Sequence, residues 1–122
     1  MESVRRERDV LGRLYVEYAE SNDRHFAGLL PTLPIRVETI AKRKADVATV
    51  CYLWTDDYVN IPRYLVFDRN FALTESWTVI RDALIHEMIH VWQVLRNERD
   101  QDHGAAFKRM AKRLGISDKA VD

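Results

Sequence analysis

The chain has 122 residues, 47% apolar and 31% charged, which suits one soluble globular domain with a modest core and is too short for two. Nineteen Lys and Arg balance nineteen Asp and Glu, so bulk charge gives no case for nucleic-acid binding, and any such case must rest on local patches. The single cysteine, Cys51, excludes an internal disulfide framework and a cysteine-ligated zinc ribbon.

No stretch of the N-terminal MESVRRERDVLGRLY has the apolar core of a signal peptide, and no run approaches the roughly 18 apolar residues of a membrane span. The expectation is a cytoplasmic or otherwise intracellular protein with no membrane partner. Residues 2–20 place Leu11, Leu14, Tyr15 and Tyr18 at helical spacing, which predicts an amphipathic first helix ended by Ser21-Asn22-Asp23. Turn signals follow at Gly28, Pro31 and Pro34. IRVETI (35–40), VATVCYLW (47–54) and YLVFD (64–68) read as strands, with polar connections between them.

From about Glu75 the period changes to that of a helix. Trp77, Ile80, Leu84, Met88, Val91 and Leu95 share one face, and Val79, Ala83, Ile85, Ile89, Trp92 and Val94 cover most of the rest. A helix apolar nearly all round is one buried on several sides. NERDQDHG is polar and reads as a loop, and AAFKRMAKRL makes a last helix stopped by Gly115. Strands that cluster ahead of the long helix point to the α+β class: a small three-stranded sheet packed with an N-terminal helix, a buried central helix and a C-terminal helix.

The buried helix contains ALIHEMIHVWQ (83–93). Residues four apart are separated by only about 40° around a helix axis, so His86 and His90 can aim at one point off one face. Imidazole nitrogens bind zinc well. Glu87, one position on from His86, points beside such an ion rather than at it. That is the place for a general base in the H-E-x-x-H pattern, where the glutamate takes a proton from water as it attacks a carbonyl. Ala83, Val79 and Val94 are expected to dry the surroundings. HExxH also arises in helices where His and Glu are merely solvated or capped. Here a glutamate sits among apolar residues, where its charge is costly unless something holds it.

A catalytic zinc normally has three protein ligands and an open position. Beyond His90 the candidates are Glu98, Asp100, Asp102 and His103. A metzincin would need histidine where Arg96 stands, which excludes that class. A glutamate-ligated site would need its Glu on a following helix, whereas Glu98 falls in the polar loop. His103 opens the final helix, where Gly104 would allow close approach and Phe107 would anchor the helix to the core. The bland alternative is a surface histidine in a turn. Asp102 is placed to cap the helix or to orient an imidazole. His25 shows no partner in the sequence.

ALIHEMIHVWQ followed by DHGAAFKRMAKRLG resembles the catalytic domain of the SprT-like family, which includes the Spartan proteases. The HExxH and the downstream His-Gly-x-x-Phe are matched by His86, Glu87, His90, His103, Gly104 and Phe107. HFAGLLPTLPIRVE and YLVFDRNFAL are similar to the family's upstream segments, and the likeness spans roughly residues 20–115. The resemblance implies a zincin-like fold, one Zn2+ ion held by His86, His90 and His103, Glu87 as catalytic base, and endopeptidase activity. It also implies protein or peptide substrates, including proteins crosslinked to DNA, with DNA as a partner that stimulates cleavage. Residues 1–122 are then one metallopeptidase domain without the zinc ribbon that many relatives carry.

Lys108, Arg109, Lys112 and Arg113 form a basic face on the last helix and are the candidate DNA contacts, with a solvated helix surface as the plainer reading. Lys42, Arg43 and Lys44 form a second short patch, read as a solvated turn. Trp54, Trp77 and Trp92 could stack bases, but their spacing is that of core residues, and Cys51 too is expected to be buried. Two rival functions stand beside the peptidase: a non-catalytic, zinc-stabilised module that binds DNA or protein, and a hydrolase of small amides or peptides.

Overall fold

A computed structural model describes residues 2–40, 47–54, 60–96 and 103–117. Helix α1 (Glu2–Phe26) leads to strands β1 (Ile35–Glu38), β2 (Ala48–Trp54) and β3 (Asn60–Asp68). Helices α2 (Arg69–Thr74), α3 (Trp77–Leu95) and α4 (Ala105–Leu114) complete the α+β order. The sheet runs β1-β3-β2, with β1 parallel and β2 antiparallel to the central β3. Among the described residues no helix is long and apolar enough to cross a membrane.

The first helix does not stop at Ser21–Asp23. Ser21 is buried, and its hydroxyl donates to Glu17 Oε2 at 2.6 Å, four residues back, so the polar residue is satisfied without leaving the helix. The chain turns only at Ala27 and Gly28, both left-handed with φ of 52° and 71°. There the Gly28 amide reaches back to the Asn22 carbonyl at 2.9 Å, the long bond of a left-handed helix stop. Asn22 then ties down the turn by exchanging two hydrogen bonds with the Leu30 backbone. The Ile35 amide donates to the Tyr15 hydroxyl at 2.8 Å, and the Tyr18 hydroxyl donates to the Pro31 carbonyl at 2.6 Å. These bonds fix where β1 begins against α1.

The central strand starts at Asn60, four residues before the expected start, and runs through Pro62. Proline has no N–H for the ladder, and the register slips between Cys51↔Tyr64 and Tyr52↔Pro62 at that point. Cys51 is half-buried rather than a core residue. The short helix α2 is capped by Asp68, whose Oδ2 accepts from the Phe71 amide at 3.2 Å while its Oδ1 accepts from the Ile40 amide at 3.2 Å. Arg69 fastens this corner, bonding Glu7 on α1, the Val37 carbonyl and the Thr39 hydroxyl.

Helix α3 packs on α1, β2, β3 and α4, and every residue from Ala83 to Val91 is buried. Ser76 caps its start by accepting from the Val79 amide. Two residues expected to be covered are not: Val79 and Leu95 are 43% and 46% exposed, on the part of the helix circumference that its neighbours leave open. Trp77 and Trp92 are partly buried against the core, and Arg13 and Arg96 lie over their rings, so neither is open for base stacking. The Trp54 side chain and Lys42, Arg43 and Lys44 lie outside the described residues.

Candidate metal centre

His86 and His90 stand one turn apart on α3, and both are buried. His103 precedes α4, four residues before Phe107, and is half-buried beside the face that Phe107, Met110 and Ala111 bury. The Nε2 atom of His103 lies 3.0 Å from that of His86 and 3.2 Å from that of His90. All three donor atoms fall within 4.8 Å of one another. The three rings also share a base. The Phe107 ring centroid is 4.8, 5.0 and 4.8 Å from those of His86, His90 and His103.

Three imidazoles can hardly hold this arrangement by hydrogen bonds among themselves. A single N–H on His103 cannot point at both of the other nitrogens, and a lone pair facing a lone pair repels. A cation at their focus removes the conflict. Two nitrogens at 2.0–2.1 Å from a tetrahedral zinc stand about 3.3 Å apart. The 3.0 and 3.2 Å separations from His103 lie within tenths of an ångström of that, and the remaining His86–His90 pair is held within 4.8 Å. Neutral imidazole suits zinc among the available metals, and a three-histidine set leaves a fourth position open. The residues present therefore fit the ion.

Glu87 is fully buried, and its Oε2 lies 4.0 Å from His86 Nε2. The carboxylate thus sits at the margin of the nitrogen cluster, displaced from it by the 100° step between successive helical residues. Ala83 and Val94 are buried along the same helix, as expected, whereas exposed Val79 takes no part in drying the site.

One residue of this cluster escaped the sequence reading. Gln93 is 1% exposed, and its Oε1 lies 2.9 Å from His90 Nδ1. An amide oxygen only accepts, so the ring nitrogen donates. The signal was there to be seen: a lone polar residue three positions after His90, in an otherwise apolar run.

The SprT-like family profile matches residues 15–121. The chain belongs to the SprT-like family. Comparison with curated proteins and with solved structures returned no match. Within the SprT-like frame, the structure brings His86, Glu87, His90, His103 and Phe107 into one cluster. Gly104 is extended, with φ of −74°, a conformation open to any residue. Asp102 lies outside the described residues. Lys108, Arg109, Lys112 and Arg113 are all exposed, on the side of α4 away from the histidines.

His25, half-buried at the end of α1, is held below the ordinary imidazole value, first by burial and then by the charges of Arg24, Arg81 and Arg113, with Glu17 opposing. Arg81 is itself paired with Glu17 at 3.3 Å and Asp82 at 3.9 Å.

Proposed function

We propose that this chain is a zinc-dependent endopeptidase, with His86, His90 and His103 holding the metal and Glu87 serving as general base. The observation that carries the reading is the focus of three imidazole nitrogens beside a buried carboxylate. A zinc ion held there supplies Lewis acidity, which lowers the pKa of water and polarises a peptide carbonyl. Glu87 would take the proton from the attacking water at a carboxylate oxygen and hand it to the departing amine. Burial of the site keeps bulk water from competing for that proton and strengthens each charge interaction within it. Phe107 holds the imidazoles in register from beneath.

Proteins bound to DNA are the substrate class that fits the rest of the surface. Exposed Lys108, Arg109, Lys112 and Arg113 give a neutral chain a local basic face on α4. Such a face favours phosphate backbones without reading sequence.

The test is cleavage of a denatured protein and of the enzyme itself, with and without single-stranded DNA, by zinc-loaded wild type and Glu87→Gln. Glu87→Gln should keep zinc and lose cleavage by about two orders of magnitude or more, the worth of a positioned acid–base group. DNA should raise the wild-type rate. Zinc retention without cleavage by either protein would favour the non-catalytic binding module, and cleavage of short peptides alone would favour the small-amide hydrolase.

A further inference from the structure

We propose that Gln93 is a positioning residue for the metal site, fixing the tautomer and the ring angle of His90. The inference rests on the metal-binding reading given above. His90 has two ring nitrogens, and only the one without a proton can ligate a metal. Gln93 Oε1, 2.9 Å from Nδ1, requires the proton at Nδ1 and so leaves the Nε2 lone pair free toward His103 and the three-nitrogen cluster. His90 is 4% and Gln93 1% exposed, so no bulk water replaces this bond if it is lost. The two residues are three apart on one helix, which sets the amide over the ring without help from any loop.

The choice of an amide has a consequence. A carboxylate in this position would orient the ring equally well, but it would also add negative charge and make His90 a stronger electron donor. Gln93 gives the orientation alone. The ion held at the three nitrogens keeps more of its own charge, which suits a site that must polarise a carbonyl and acidify water.

Two variants separate positioning from simple core structure. Gln93→Met keeps the length and burial of the side chain and removes the acceptor. Gln93→Glu restores an acceptor. Zinc affinity is measured on metal-stripped protein by competition with a chromophoric chelator, and the urea midpoint of the same stripped protein reports its fold. Gln93→Met should bind zinc roughly 10–100-fold more weakly, the usual cost of removing such a partner, with an apo urea midpoint close to that of wild type. Gln93→Glu should recover wild-type affinity or exceed it. The visible bands of the cobalt-loaded Gln93→Met protein should also shift from those of wild type, as a reoriented imidazole requires. Wild-type affinity in Gln93→Met, or a loss of affinity matched by an equal loss of apo stability, overturns the positioning role. Wild-type protein that binds no zinc overturns the metal site itself, a result visible before any variant is made.

Discussion

Phe107 has no exposed surface, and three imidazoles rest against its ring. It joins α4 to α3 and also sets the floor of the histidine cluster. Phe107→Ala removes a large buried side chain at a site hemmed in by rigid rings, where collapse is difficult. A loss of about 3–5 kcal/mol is expected in urea unfolding of the metal-free protein. Phe107→Leu keeps most of the apolar volume, so it should remain folded yet hold zinc more weakly, since the ring faces that steady the imidazoles are gone. An apo stability loss below about 1 kcal/mol for the alanine variant would show that α4 is held elsewhere. Phe107 and the histidines are legible in the sequence because their geometry is local: four residues from His86 to His90, and four from His103 to Phe107. Gln93 was hidden for a different reason. A polar residue in an apolar helix has several ordinary explanations, and only the direction of the His90 ring selects one.

Asp68 shows how one residue can end a strand and begin a helix. Its amide donates to the Val47 carbonyl just ahead of β2, while its two carboxylate oxygens accept from Phe71 at the start of α2 and from Ile40 beyond the end of β1. Asp68→Ala removes both acceptors and should cost about 1–2 kcal/mol, the upper part of the range for a lost helix cap. Asp68→Asn keeps an acceptor oxygen and should recover most of the loss, both being read from urea unfolding at fixed zinc concentration. An unchanged midpoint for Asp68→Ala would mean that the α2 corner is fixed by Arg69 alone. The elements themselves were unequally legible. AAFKRMAKRL matches α4 residue for residue, because its apolar stripe and Gly115 act within the segment. Helix α2 was missed because six residues are too few for a 3.6-residue period to show. The start of β3 was missed because Pro62 reads as a loop signal unless the register slip opposite it is known. The end of α1 was misplaced because Ser21 and Asn22 act as turn formers in sequence, but in the fold they bond Glu17 and Leu30.

At the scale of the molecule, the sheet order β1-β3-β2 had no local signature, since it depends on pairing Ile35 with Leu65 across thirty positions. A metal ion at the proposed site, by contrast, would have a global role. His86 and His90 belong to α3, which lies against α1, the sheet and α4, whereas His103 belongs to the start of α4, whose described contacts of note are with α3 alone. An ion bound to all three histidines therefore fastens α4 to the body of the fold. It would bind only the folded chain, because the unfolded chain cannot keep the three nitrogens together. Zinc at a hundredfold excess over its dissociation constant should then add about 2.7 kcal/mol to stability. For a domain of this size that is a rise in Tm of roughly 10 °C. Chelation should lower Tm by that amount and re-addition of zinc should restore it, while Glu87→Gln should respond as wild type does because Glu87 stands outside the ligand set. His103→Ala should lose the response, since two histidines on one helix cannot fasten anything to it. If His103→Ala kept the full zinc-dependent rise in Tm, the third ligand would have to come from elsewhere in the chain, and α4 would owe its place to Phe107, Met110 and Ala111.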